Sequence, residues 1–596
     1  SVGVGSEGPS LPKRTKHRWE LSATMKSGEK PTVEQTGVPQ GVYLHWIKAQ
    51  LDSESACLEL PITIMLMVAF SMLAILHLRQ DIVLSVESAI EQDIIENANF
   101  AFSHYFGHKS IWDVHSFADY WSWLRLGFIP LVVQPSWSYS ESYSDSVAAL
   151  FSGNAMVEAD PASAWNFSAF GNVVNPVPIK GDYLHYNRII GGLRFRQQLS
   201  EVGDEYCKFP STGTVTGWSR WYGKPCMPAW AELPFQPDTM VTETFSDPAR
   251  VEFMLVDVMS VDDMRAMAVD MEDGCAQLER KGRPGNCYCE WCAAQDPPSP
   301  WLTEQTQRLE LGMITLNSEY GLITRTLVNF FFNRGSYIHK RVEVMSTWMD
   351  PWSGTWEEVI PMLICDVTWV VMLLYILKNE LQEIVHVLRV GEGPRWWNSL
   401  YDDYIAFWNV VDWISLVVSG VVVLLFVQLH QYTTGMHSTF QVLINSSVES
   451  VGRDRYKAVV IDFWTSVEQA SDQEKVFRMS LCVYPMMIML RLFKSFAAQP
   501  RLAVVTATLV EASQDIFHFF IVFFGVLFCL CLNSVMLFGQ DLEEFGTFAR
   551  AVHSCFRMMF GDWDWEPIQR VRRSVAMAWF SMFMLLMVVI LLNMLL

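Results

Sequence analysis

A short segment near the carboxyl end of the chain combines a glycine with an acidic side chain in a setting suited to cation binding. Residues 544–559 have helical spacing but are too few to cross a bilayer, so a half-helix that enters and returns is expected. Non-helical backbone at membrane depth occurs only where it lines water or is buried in protein. Gly561 permits a tight turn with exposed carbonyls, and Asp562 repeated in an oligomer would form a ring of carboxylates. We therefore predict an ion filter at Phe560, Gly561 and Asp562.

Two more acids follow at alternate positions. Asp564 and Glu566 would add negative charge at the outer mouth of the same passage. The alternative is an ordinary acidic loop in solvent. The position of the segment, after a half-helix and before a final apolar run, favours the filter.

Two pairs of oxygen-bearing side chains could form a cup for a hard cation. Glu380 and Glu383 are three residues apart, as are Asn409 and Asp412, so each pair lies on one face of its helix. Calcium binds through several oxygen ligands of this kind. The spacing predicts a calcium cup that modulates the protein.

Asp412 has a structural alternative. Arg491 and Lys494 lie at the inner end of the fourth apolar run, and an acid paired with either would hold the helices together. The middle of that run, MSLCVYPMMIML, carries no charge. Because a strong voltage sensor needs regularly spaced arginines, we do not expect one here.

Half of the twelve cysteines lie between the first two apolar runs. An even number in an oxidising compartment favours disulfides, and Cys207 with Cys226 could close one loop. The other four are close enough in sequence to pair in any combination: Cys275, Cys287, Cys289 and Cys292. Their C-x-C-x-x-C ending also suits zinc, which we place second to disulfides.

The composition indicates the class of protein that carries these candidate residues. Of 596 residues, 51% are hydrophobic and 18% charged, below the roughly 25% charged that is usual for soluble domains. The net charge of −21 argues against a nucleic-acid partner. We found no phosphate loop, nucleophile elbow or zinc-hydrolase motif in a plausible context, so neither an enzyme nor a cofactor is predicted. A membrane protein in contact with lipid is expected.

Six apolar runs are long enough to cross a bilayer as helices, which takes about 20 residues. They are 58–78, 359–377, 405–429, 476–496, 516–538 and 575–596. Polar residues 1–57 precede the first run, which is therefore expected to be a signal-anchor. Basic residues in the N-terminal segment and in the connections between runs two and three, and four and five, predict that these parts are cytoplasmic.

The segment 79–358 is then predicted to lie outside the membrane as an α+β domain. It holds 36 acidic and 20 basic residues, and 312–332 is rich in the β-branched and aromatic residues of strands. The glycosylation sequons at Asn166 and Asn445 both fall on the same predicted outer side. The predicted division is a cytoplasmic segment 1–57, the first transmembrane helix 58–78, the outer domain 79–358, helices two to four 359–498, a linker 499–515, and a pore module 516–596.

Several motifs together resemble the polycystin (TRPP) family of transient receptor potential channels. FRMMFGDWDWEPIQRV is similar to the family's FR-x-x-LGD-x-x-F-x-x-I filter segment, with Phe560 replacing leucine. FWNVVDWISLVVS resembles its FWN-x-x-D third span, and LRLFKSFAAQPRL its fourth-span exit. YWSWLRLGFIPLV and NRIIGGLRFRQ resemble elements of its outer polycystin domain.

The resemblance implies six transmembrane helices, a four-helix voltage-sensor-like bundle and a pore module with a re-entrant helix. It implies a homotetramer, or a tetramer with a related polycystin subunit, around a calcium-permeable and poorly selective pore. The outer domain would form a lid held by a Cys207–Cys226 disulfide. A cilium or the plasma membrane is the implied location. The family's inner gate would follow the part of the sixth helix that ends at Leu596.

Two alternatives remain open. A mucolipin-like endolysosomal channel shares six spans and a luminal insert, but its filter has adjacent acids, whereas Trp563 follows Asp562 here. A membrane anchor for extracellular structures would use the outer domain instead. That domain is larger than the resemblance implies, and residues 430–474 read as a long polar loop. The added outer surface predicts an extracellular glycoprotein partner.

Overall fold

The computed structural model describes residues 40–100, 109–133, 181–208 except 185, 222–228, 250–275, 287–294, 299–390 except 353, 407–495 and 500–592. The sequon at Asn166 lies outside them. The chain divides into two compact units, Ser1–Ile64 with Leu490–Glu511, and Met65–Met489 with Ala512–Leu596. Nearly all of the elements below belong to the second unit.

The α-helices in the described residues are as follows. They are α1 Gln40–Leu78, α2 Gln80–Gln92, α3 Phe117–Ser122, α4 Ile129–Val133, α5 Val261–Asp273, α6 Glu290–Ala293, α7 Trp356–Val390, α8 Phe407–Ile444, α9 Val448–Val451, α10 Arg453–Ser495, α11 Pro500–Phe538, α12 Phe548–Met559 and α13 Trp565–Phe583. A π-helical segment, Met584–Leu592, continues α13. Residues 500–515, predicted as a linker, form the first turns of α11.

Five helices in the described part of the chain are long and apolar enough to cross a membrane. They are Glu59–Asn97, Trp356–Arg389, Trp408–Ile444, Arg453–Lys494 and Glu511–Phe538. Each of them overlaps one of the first five predicted runs. The sixth run falls on the shorter apolar helix Arg573–Val589, so its crossing stays a prediction.

Between α1 and α7 lies an antiparallel sheet. Its strands are β1 Asp182–Tyr183, β2 Asn187–Leu199, β3 Arg250–Met254, β4 Thr306–Asn317, β5 Leu322–Phe332 and β6 Ile338–Trp348, ordered β1-β2-β4-β5-β6 with β3 also paired to β2. The strands predicted from 312–332 are confirmed as parts of β4 and β5. We call β1–β6 with α2–α6 the sheet domain, and its α+β character agrees with the prediction.

One face of the sheet packs on an aromatic core. Tyr120 and Trp123 are fully buried, and their rings lie 5.0 and 5.4 Å from that of Phe330 on β5. Residues of β2 and β4 that point to the same side, such as Phe195 and Leu311, join this core. Tyr120, Trp123 and Phe330 therefore form part of the core, as buried aromatic clusters usually do.

The opposite face of the sheet packs on two long helices. Ile314, Ile323 and other apolar residues of this face contact the second half of α8 and the first half of α10, including Phe440 and Trp464. We call residues 436–472, which run from α8 through α9 into α10, the outer hairpin. The prediction of a polar loop over 430–474 is wrong, because both helices continue through it and bury one side against the sheet.

Candidate ion-conducting site

The short helix α12 is positioned by its cap and by one apolar face. Thr547 accepts a hydrogen bond from the backbone N–H of Arg550 at 3.3 Å, which satisfies a free donor at the helix start. Ala551, Cys555 and Met558 are buried in a core shared with α11 and α13. The residues of α12 that stay exposed include Phe548, Phe556 and Arg557.

A tight turn ends α12 at the predicted filter. The N–H groups of Phe560 and Asp562 donate to the carbonyl of Arg557 at 3.0 and 3.2 Å, and that of Gly561 donates to Met558 at 3.1 Å. Gly561 has φ of +88°, which a residue with a Cβ adopts only at a cost. Phe560 and Asp562 are exposed in the protomer. The three predicted filter residues thus form one glycine-dependent turn.

The acids of this region are engaged by neighbours. Asp562 Oδ2 accepts from the Arg557 Nε at 2.7 Å. Asp564 caps α13 by accepting from the N–H of Glu566 at 3.1 Å, and Glu566 pairs with Arg570 at 2.6 Å. The carboxylates stand out in the sequence by residue type, whereas their arginine partners were not predicted, although the four-residue spacing of Glu566 and Arg570 is a recognisable signal.

The four residues of the predicted calcium cup are only partly linked by the described contacts. Asn409 Nδ2 donates to Glu383 Oε1 at 3.3 Å, and Glu380 and Asp412 are buried. Among the described residues, no group of three His, Cys, Asp or Glu side chains is arranged to hold a metal. The cup stays a prediction. In the first unit, Lys494 lies 3.4 Å from Glu59, and Arg491 is buried.

Cysteine pairing follows the predicted preference for disulfides. Cys207 is bonded to Cys226. In the second group Cys275 is bonded to Cys287, and Cys289 to Cys292, so these sulfurs are not arranged as zinc ligands. The sequon residue Asn445 is exposed just beyond the end of α8.

The sheet face that meets the outer hairpin carries a buried cluster of charges. Glu310 on β4 is fully buried and lies 2.9 Å from Arg194 and 3.0 Å from Arg196, both on β2, and 3.4 Å from Arg308. Burial alone would raise the pKa of Glu310, but the guanidinium groups of Arg196 and Arg194 outweigh it and lower that pKa. The carboxylate therefore stays charged.

The hairpin completes this cluster from the other side. Glu468 on α10 lies 2.6 Å from Arg194, and Asp472, one turn later, lies 2.8 Å from Arg325 on β5. This interface was not predicted from the sequence, because the residues that form it are far apart in the chain. The alternation of Arg194 and Arg196 along one strand was the available signal.

The long apolar helices define a multi-pass membrane protein, in which a short capped helix and a glycine turn lie between the last two apolar segments. Residues 357–596 match the family model for the polycystin cation channel, which supports the predicted membership of the polycystin (TRPP) family. The family is one of ion channels rather than enzymes.

The relatives are distant. The human protein "Polycystin-2-like protein 1" is 22% identical over 299 residues, which cover 49% of this chain and 33% of that protein. "Polycystin-2" of Danio rerio is 23% identical over 300 residues, covering 49% and 29%. The human "Polycystin-2-like protein 2" is 27% identical over 105 residues, covering 18% and 17%. The matches thus span a third or less of the length of these relatives.

Proposed function

We propose that this chain is the pore-forming subunit of a polycystin-type cation channel that is calcium-permeable, poorly selective and tetrameric. The turn at Gly561 and Asp562 carries the proposal, because it follows a short capped helix, lies between two apolar segments and falls within the matched residues 357–596. Four copies around an axis would place four carboxylates on the path of the ion. Conduction is passive.

The sheet domain would then lie outside the membrane as a lid over the pore. Its disulfides and the exposed sequon at Asn445 suit an oxidising compartment. A related polycystin subunit or an extracellular glycoprotein would bind this side, and a ciliary or plasma membrane would hold the channel. The polycystin match and Trp563 beside Asp562 favour this function over that of a mucolipin-like channel.

Asp562→Asn tests the filter. We expect the calcium-to-sodium permeability ratio, measured from bi-ionic reversal potentials of the full-length channel, to fall about threefold or more, because a divalent ion feels twice the electrostatic effect of a monovalent one. Asp564→Asn is the matched control, since asparagine also caps helices and the loss of charge lies outside the turn. An unchanged ratio in Asp562→Asn would refute the filter.

A second test concerns the calcium cup. Glu380→Ala is expected to abolish any potentiation of current by cytoplasmic calcium, because it removes one of four predicted oxygen ligands. Inside-out patches exposed to stepped calcium concentrations provide the measurement. Glu357→Ala, at the other end of α7, should leave potentiation intact. Full potentiation in Glu380→Ala would show that no cup operates.

A further inference from the structure

The filter turn contains its own countercharge. Arg557, in the last turn of α12, directs both Nε and Nη2 to the same oxygen of Asp562, at 2.7 and 2.6 Å. The other oxygen, Oδ1, lies outside this two-pronged contact. A hydrogen bond from a guanidinium to a carboxylate is shorter and about twice as strong as one between neutral groups.

The ion pair between Arg557 and Asp562 forms within the turn that ends α12. The backbone N–H of Asp562 donates to the carbonyl of Arg557, so the residue that supplies the guanidinium also anchors the backbone of its partner. Gly561, in its left-handed conformation, lies within the turn that separates the two residues. Each protomer therefore supplies the pair without help from a neighbour, and a symmetric pore would contain four of them.

The charge balance of the whole loop agrees with this arrangement. Residues 541–573 contain six acidic and five basic side chains. Glu543 lies 2.8 Å from Arg550, and Glu566 lies 2.6 Å from Arg570. A ring of unopposed carboxylates would favour divalent ions strongly, whereas compensated carboxylates leave little charge to distinguish calcium from sodium.

We infer that Arg557 is a specificity-determining residue of the filter, which neutralises Asp562 and keeps the pore poorly selective. The inference rests on the proposed function, since it requires Asp562 to face the ions. Oδ1 remains for the passing cation, while Oδ2 is held by the guanidinium. Removal of the guanidinium would expose the full charge of each carboxylate.

Arg557→Gln in the full-length channel is the primary test. We expect the calcium-to-sodium permeability ratio to rise about threefold or more, the difference that one uncompensated charge at about 6 Å makes between a divalent and a monovalent ion in a water-like dielectric. Arg557→Lys keeps the charge and should remain within about twofold of wild type. Arg550→Gln, which makes the same change two turns earlier on α12, should leave the ratio unaltered.

Arg557→His covers the case in which the glutamine variant does not reach the membrane. Histidine is charged at pH 5.5 and neutral at pH 8, so the ratio should rise reversibly with external pH in this variant and not in wild type. A damaged fold would not produce a reversible change of selectivity.

The outcomes separate this inference from the proposed function. If Asp562→Asn lowers the ratio and the Arg557 variants leave it unchanged, the filter stands and the role of Arg557 is refuted. If neither residue affects the ratio, both proposals fail. In the double variant both charges of the pair are absent, so the ratio should return to within about twofold of wild type, as a compensated pair predicts. A double variant that keeps the full change of either single variant would overturn the inference.

Discussion

Glu310→Gln is expected to loosen the outer hairpin from the sheet domain, with a local destabilisation of about 3–5 kcal/mol. Glu310 is fully buried among Arg194, Arg196 and Arg308. Glutamine has nearly the same size, so the change removes charge without creating a cavity. Three guanidinium groups would be left with too little negative charge around them, and breaking a buried pair on one side costs far more than an exposed one.

Hydrogen–deuterium exchange of the full chain measures this effect. A destabilisation of that size should speed exchange of the amides in the first half of α10 by about a hundredfold or more, if they open with the interface. Glu304→Ala is the control, because its ion pair with Lys224 is exposed and contributes little. Exchange as slow as in wild type would show that the charge cluster does not hold the hairpin.

Acid should act in the same direction as the mutation. Because the pKa of Glu310 is lowered in the folded protein, its contribution to stability is complete above the usual glutamate value and is lost as the pH falls through the folded value. The cluster is therefore stable across the neutral range and weakens only in strong acid.

The outer hairpin also shows how far the sequence could predict this fold. The apolar helices and the strands β4 and β5 follow from local patterns, which require no knowledge of distant residues. Residues 430–474, in contrast, look like a solvated loop in the sequence, because they contain charged side chains such as Glu468 and Asp472. Their partners, Arg194 and Arg325, lie far earlier in the chain and become neighbours only after the sheet has formed. A charged side chain whose ion-pair partner is far away in the sequence cannot be distinguished, from the sequence alone, from a charged side chain that faces water.

The predicted filter was easier to find in the sequence, because its residues are neighbours in the chain. Gly561 and Asp562 could be selected by position and residue type, and the structure brings them into one turn. Arg557 is only five residues from Asp562, and the two side chains pair across the turn that contains Gly561. The disulfide connectivity of the second cysteine group could not be predicted from the sequence, because the spacing of these cysteines allows several pairings.

Close packing, in addition to charge, should join the hairpin to the sheet at Trp464. The ring is almost fully buried, and a Cβ built on Gly312 of β4 would lie 2.8 Å from it, closer than real Cβ contacts. Arg194 also stacks over the ring at 4.1 Å. Only glycine fits beneath this tryptophan, so Gly312→Ala must displace the ring or bend the strand. We expect that change to cost about 1–3 kcal/mol.

A double-mutant cycle with Trp464→Leu makes this expectation specific. The smaller side chain costs stability on its own, through lost burial, but it removes the atoms that the new methyl group would meet. The penalty of Gly312→Ala should therefore fall by about 1 kcal/mol or more in the Trp464→Leu background, measured by exchange of the same α10 amides. Gly435→Ala, which meets nothing within 4 Å on α8, should show no such coupling. Additive effects of Gly312→Ala and Trp464→Leu would mean that the two residues do not pack against each other. Coupling would show instead that β4 and α10 pack directly against each other at Gly312 and Trp464, so that this contact helps to hold the sheet domain to a helix predicted to enter the membrane.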